Sequence, residues 1–412
     1  MAKNAAGRIA CAATLAAGLW GGVSGQQLAL DSLFRAHRLP LAYADSSMSG
    51  PGWEFIAGEA ARAQFVVVGE SHNVREIPLF TAQLFRLLHE RSGFNYLALE
   101  DGPYAVRMLM APGVRGDRDR TAALATRYLN ALQFLNDQEI ELIVTAGRVS
   151  TAAGEPVWGL DQTWGALHVL ERLGELAAGG EAGELAMRLA AQARLVEAER
   201  PGEGHPRYMT DRLAVGDLDA LRAAFAGGPA EAIELVGMLR TSYEIYASRG
   251  GGPSIYQSND RRERYMRSRF VEEYERARMR DGVLPRVVLK FGQWHALKGL
   301  LNWGDVEPLG TFVSELAKGN ALESVHIWTG LVNEPGRFWT LFDSPDYVPL
   351  ARAGSTDGWW VVDLRAIRPH VAAGQVAGVN EEMRKVIFGF DLALLIGNGN
   401  RATLEWLQRA AR

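Results

Sequence analysis

FVVVGESHNVREIPLFTAQLFRLLHERSGFNYLALED, residues 65–101, decides how the whole chain is read. It opens on Phe65-Val66-Val67-Val68, a short apolar run rich in β-branched residues and closed by Gly69. That is the composition of a strand buried on both faces of a parallel sheet. Glu70, His72, Arg75 and Glu76 occupy the turn that follows. Leu79, Phe80, Leu84, Leu87 and Leu88 then recur at helical spacing and predict an amphipathic helix. Tyr96-Leu97-Ala98-Leu99 reads as a second strand, ending in Glu100 and Asp101. The result is a βαβ unit with its ionisable groups massed at the carboxyl ends of both strands, where open α/β sheets place their ligand sites.

Working outward, the N-terminus is a different kind of sequence. Lys3 and Arg8 precede a run of small and apolar residues from Ile9 to Val23, and Ser24-Gly25 offers small residues for cleavage. Residues 1–25 therefore read as a secretory signal peptide, and the run falls short of the roughly 20 residues that span a bilayer. The only cysteine, Cys11, lies inside it, so a processed chain has no disulfide, thiol nucleophile or cysteine-ligated metal. No later stretch is long and apolar enough to cross a membrane, and the expectation is a secreted or periplasmic bacterial protein without a stable membrane span. With 412 residues, 48% hydrophobic and 22% charged, the composition is that of a soluble globular protein. A net charge of −4 gives no footprint for nucleic acid. The sequence does not fix the oligomeric state.

Residues 28–58 read as helix followed by loop, with a helix from about Trp53 to Ala63 feeding the first strand. Val157-Trp158-Gly159-Leu160-Asp161 reads as a third strand closed by an acid, and Arg286-Val287-Val288-Leu289-Lys290-Phe291 as a fourth, running into Gly292 and His295. Ser324 to Leu331 and Gly358 to Asp363 are further strands. Residues 163–255 are rich in Ala, Leu, Glu and Arg without strand signals, and are expected to form a helical cap. Residues 26–412 fit either one large α/β domain with insertions or two domains, and the pattern is that of a mainly parallel central sheet flanked by helices, with a large helical insertion. The C-terminal helix, near 401–411, is expected to pack on the sheet.

Glu70 and His72 point to one side of an extended turn because side chains alternate with period two, so the carboxylate can orient the imidazole as a general base requires. His295 follows another strand, and parallel strands deliver their ends to one edge. Glu100 suits orienting a histidine, binding a metal or holding a substrate hydroxyl. Asp161 ends a strand in the same way. Arg75 suits an oxyanion or a substrate carboxylate, and equally a salt bridge to Glu70 or Glu100. Arg262 opens a helix with Glu263 and Arg264. His168 and His205 lie in the expected cap, and Tyr243, Tyr246 and Tyr256 flank a glycine run. There is no nucleophile elbow, Walker loop, dinucleotide fingerprint or His-Glu-x-x-His helix. What remains is water activation by histidine and carboxylate, with or without a metal.

These residues resemble a known family. Val68-Gly69-Glu70-Ser71-His72 with Arg75-Glu76, followed by Ala98-Leu99-Glu100, resembles the N-terminal signature of the erythromycin esterase family. Gly159-Leu160-Asp161 is similar to its Gly-Phe-Asp step, Arg262-Glu263-Arg264-Tyr265-Met266 to its Arg-Asp-x-x-Met helix, and Val287 to Gly299 to its strand and His-Asn-Ala-His-x-x-Lys-Gly element. Val361 to Arg365 looks like a late strand of the family. Where the family has the first histidine of its pair, this chain has Gly292 and keeps His295 alone. The resemblance implies a cleft between sheet edge and helical cap and an ester or lactone hydrolase acting on a small molecule. In it His72 deprotonates water, Glu70 and Glu100 orient it, Arg75 and His295 stabilise the oxyanion, and Asp161, Arg262 and Glu76 contact substrate. No cofactor is needed on that reading. The wider superfamily also implies two alternatives: a haem- or metal-binding protein, and a peptidase with a divalent metal on His72, His295, Glu70 and Glu100.

Overall fold

A computed structural model of the chain describes residues 28–44, 47–177, 179–198, 213–247, 255–301 and 305–410. The expected signal peptide with Cys11, His205 and the run Gly250–Pro253 lie outside the described residues. Among these residues, nine strands form one sheet: β1 (Arg38–Ala44), β2 (Ser47–Ser49), β3 (Ala63–Glu70), β4 (Tyr96–Leu99), β5 (Val157–Gly159), β6 (Val287–Gly292), β7 (Glu323–Val332), β8 (Trp359–Asp363) and β9 (Leu392–Gly397). Their order is β2-β1-β8-β9-β7-β3-β6-β4-β5. The run from β9 to β5 is parallel throughout, and β8, β1 and β2 add antiparallel pairings at the other edge.

Strand alternation divides the core in two. Val66 and Val68 of β3, with Leu97, Leu99 and Val288, meet the helices Pro51–Arg62, Glu76–Ser92 and Asp137–Val149 on one face. Phe65 and Val67, with Ala98, Leu289 and Phe291, meet Phe270 and Tyr274 of the helix Ile255–Asp281 and Val313 of Leu309–Gly319 on the other. Both faces of the central strands are covered, which is why they read as continuous apolar runs. Between β5 and β6 the described residues form only helices. No helix among the described residues is long and apolar enough to cross a membrane.

The decisive topological step is β6. It arrives late in the chain and inserts between β3 and β4, pairing Glu70 with Gly292 and Leu99 with Lys290. Residues remote in sequence thereby meet at one sheet edge.

Three expectations need correction. Residues 28–58 are not helix and loop: the helix Leu30–Ala36 is followed by β1, which pairs with β8 despite Pro40, and by β2. β1 exists through that tertiary pairing, whereas local sequence shows only a proline turn signal. β9 was unread, because a six-residue apolar run cannot be told from buried helix by periodicity. The C-terminal helix Glu405–Ala410 docks on helices, not on the sheet: Asp137 accepts from the Trp406 and Leu407 backbone N–H groups, and the Arg118 guanidinium lies 4.2 Å from the Trp406 ring.

Gly69 shows how closely the site edge is built. A Cβ there would lie 2.8 Å from Phe390 Cε1 and 3.3 Å from the Gln293 Cα. Gly69→Ala is therefore expected to lower stability by about 1–3 kcal/mol through overpacking, measured as a lower urea midpoint at unchanged slope.

Candidate functional site

A cavity of about 630 Å³ opens at the carboxyl ends of β3, β4 and β6. Glu70, Ser71, His72, Glu100, Gln133, Trp164, Asn259, Arg262, Gly292, Gln293, Trp294 and His295 are among its lining residues. Its size is that of a small-molecule site.

His72 Nδ1 lies 3.0 Å from Glu70 Oε1. The His72 side chain is 40% exposed while Glu70 is only 3% exposed, so the imidazole reaches the cavity from a buried anchor. Its other face stacks on Phe134, with ring centroids 4.3 Å apart. Burial disfavours the imidazolium, but the hydrogen bond and charge of Glu70 and the charge of Glu100 outweigh it and raise the His72 pKa above its usual value. Burial likewise opposes ionisation of Glu70, yet Lys290 and His72 pull its pKa below the usual carboxylate range.

Lys290 and Glu139 were missed in the sequence. Lys290 is 2% exposed, and its ammonium binds Glu70 Oε2 and, at 2.7 Å, Glu139 Oε1. Glu139 sits in the first turn of Asp137–Val149, where Asn136 caps the Gln138 and Glu139 N–H groups. Burial, with the Glu70 charge adding to it, pushes the Glu139 carboxyl up to about 7 against the pull of Lys290. The available signal was a single lysine in an otherwise apolar strand.

Glu100 collects the second set of contacts. Its Oε1 accepts from Arg262 at 2.7 Å and lies 3.6 Å from His295 Nε2, and its Oε2 accepts the Gly292 N–H at 2.6 Å. Burial opposes its charge, but His295, Arg262, His72 and that N–H hold its pKa far below the usual range. Arg262 also donates from Nε to Asp161 Oδ1 at 2.9 Å, and Asp161 is fully buried. His295 Nδ1 bonds Glu263, a fully buried residue whose other oxygen accepts the Leu309 N–H at 2.8 Å. Glu263, the acid between Arg262 and Arg264, is thus the anchor of His295.

The fold brings Glu70, His72, Glu100, Arg262 and His295 together around the cavity, with Asp161 directly behind Arg262. It does not bring Arg75 or Glu76. After Asn73, at a positive φ of 62°, the chain turns away and Val74 bridges to Arg401. Arg75 is exposed and outside the cavity lining, and buried Glu76 binds the Asn400 backbone N–H at 2.9 Å and its side chain at 3.0 Å. The Arg75 backbone and the Glu76 side chain tie the turn to the 398–401 loop. His168 is buried beside Tyr104 and lies outside the lining, as do Tyr243 and Tyr256.

Among the described residues no group of three or more His, Cys, Asp or Glu side chains is placed to hold a metal ion. The four residues of the metal alternative fit poorly for a specific reason. The Glu70 oxygens are engaged by His72 and Lys290, and the Glu100 oxygens by Arg262 and Gly292 N–H, so a divalent ion would compete with two buried cations.

No protein-family model matches the sequence, and no curated protein resembles it closely enough to count as a relative. Solved structures do match. A mutant erythromycin esterase in an open conformation is 13% identical, with 85% of this chain and 95% of that one covered at a TM-score of 0.53. A Bacillus cereus protein is 14% identical over 91% and 98% of the two chains, at 0.55, and a succinoglycan biosynthesis protein is 13% identical with the same coverage, at 0.54. The chain shares the erythromycin esterase fold. The likeness covers the erythromycin esterase chain almost end to end.

Arg262→Met would leave Glu100 and Asp161 buried without their shared cation. It is expected to cost about 3–5 kcal/mol of stability, read from chemical denaturation followed by circular dichroism.

Proposed function

We propose that the protein is a hydrolase of an ester, lactone or related acyl bond, using a water activated by His72 without a metal. The observation that carries this reading is the His72–Glu70 pair at the carboxyl edge of β3: a cavity-facing imidazole anchored through Nδ1 to a buried carboxylate. With Nδ1 donating to Glu70, the lone pair is on Nε2, the requirement for a general base. The likeness to an erythromycin esterase structure supports the choice of acyl chemistry.

On this reading water attacks the acyl carbon as its proton passes to His72 Nε2. The tetrahedral oxyanion is met by the imidazolium form of His295, in which Nδ1–H is held by Glu263 and Nε2–H, beside Glu100, is the donor to the oxyanion. Collapse breaks the bond to the leaving oxygen, which takes the proton back from His72, giving a carboxylic acid and an alcohol. Arg75 has no part, and Glu100 with Arg262 and Asp161 acts as the frame that fixes the His295 edge. Gln133 Oε1 is buried at the cavity wall without a partner and is positioned to accept a substrate hydroxyl or amide N–H. Export follows from the sequence expectation for residues 1–25 and is part of the proposal.

His72→Ala is expected to lower kcat by about 10²–10⁴ with an unchanged circular dichroism spectrum, assayed on a panel of esters and lactones; undiminished turnover overturns the assignment. Dialysis against a chelator should leave the rate unchanged, and loss restored by added metal would favour the peptidase reading. A haem absorption band in the purified protein would favour the binding reading.

The pH dependence follows from the direction of the His72 shift. Only the neutral imidazole accepts a proton, and its pKa is raised above the ordinary value of about 6.5. The rate constant kcat/KM should therefore rise with pH through a midpoint above that value, and a midpoint below it would contradict His72 as the base.

Gly292 sets the remaining geometry. A Cβ on it would lie 2.9 Å from His72 Cε1 and 3.2 Å from Glu100 Oε2. Gly292→Ala should displace the imidazole and cost on the order of 10²-fold in kcat while the protein stays folded.

A further inference from the structure

We propose that Lys290 is the positioning residue of this site: clamped between Glu70 and Glu139, it fixes the Glu70 carboxylate so that His72 is held in its Nδ1–H tautomer. The proposal deepens the reading of His72 as a base and rests on it for its catalytic consequence alone.

Four groups lie in an unbroken line: imidazole, carboxylate, ammonium, carboxylate. Glu70 spends Oε1 on His72 and Oε2 on Lys290, so the carboxylate cannot turn without losing the ammonium. Lys290 is in turn held by Glu139, which reaches it from the helix over that face of the sheet. The clamp is built by register. Lys290 pairs with Val68 on one side and Leu99 on the other, and strand alternation turns it to the face covered by Asp137–Val149. Phe134 covers two of the four groups, stacked on His72 and 5.7 Å from the Lys290 ammonium.

A lysine in the middle of a six-residue buried strand is costly unless it is paired. An apolar residue would serve packing as well, so the ammonium needs another explanation, and its contact with the anchor of His72 supplies one. Other charged groups around His72 do not compete for Nδ1. Glu100, from the end of β4, is bound by Arg262 and the Gly292 N–H; Asp101 beside it accepts the Gln133 N–H; His295 is bound to Glu263.

The test is ¹⁵N-histidine NMR near pH 9, about where the imidazole is neutral, with His72→Ala assigning the signal. The full chain is expected to show His72 as the Nδ1–H tautomer. The double variant Lys290→Met/Glu139→Gln removes the ion pair together and should lose that signature, with kcat down roughly 10- to 100-fold and KM within about twofold. A folded double variant that keeps the Nδ1–H signature overturns the proposal. Should it not fold, Glu139→Ala keeps the ammonium but removes its second anchor; a reduced Nδ1–H fraction supports the clamp, and an unchanged one overturns it. The tautomer readout needs no substrate, so it stands apart from the hydrolase assignment.

Discussion

The structure depends most on the placement of one buried ammonium. Lys290 lies in the middle of the sheet between Glu70 and Glu139, with no solvent to share the charge. A cation in that position is tolerable only if both carboxylates are delivered to it. That requirement ties β3, β6 and the Asp137–Val149 helix into one arrangement. A second buried set, Glu100, Asp161 and Arg262, ties β4, the segment after β5 and the Ile255–Asp281 helix in the same way. The two sets meet at Gly292, whose N–H serves Glu100 and whose missing side chain makes room for His72.

Glu70 and Glu100 are each paired with a buried cation, Lys290 and Arg262, while the His72 and His295 imidazoles line the cavity beside them. The two histidines are anchored alike: each has Nδ1 on a buried glutamate, His72 on Glu70 and His295 on Glu263, and both line the cavity.

Much of the frame was legible in the sequence. Strands β3, β4, β5, β6 and β8 are short apolar runs closed by Gly or an acid, β7 is a longer mostly apolar run, and their buried faces leave that signature. Glu70, His72, Glu100 and His295 were readable because a charged residue directly after a parallel strand has few places to point other than the sheet edge. Arg75 and Glu76 are near His72 in sequence but outside the cavity lining, because the chain turns away after the left-handed Asn73. β1 was hidden by Pro40, and β9 by a run too short to show a period.

By itself the sequence determined the layer architecture, the strand ends that carry the ionisable groups, and the His72–Glu70 pair, because alternation and helical period are local properties of the chain. Only the tertiary structure decided who faces whom. Local pattern cannot say that β6 inserts between β3 and β4, and that insertion converts Lys290 from an odd residue in an apolar strand into the partner of Glu70 and Glu139. It also turns Glu263 from one charge among several into the anchor of His295. The reason is physical: a buried charge is stabilised by groups within a few ångströms of it, and which groups those are is set by strand order and register.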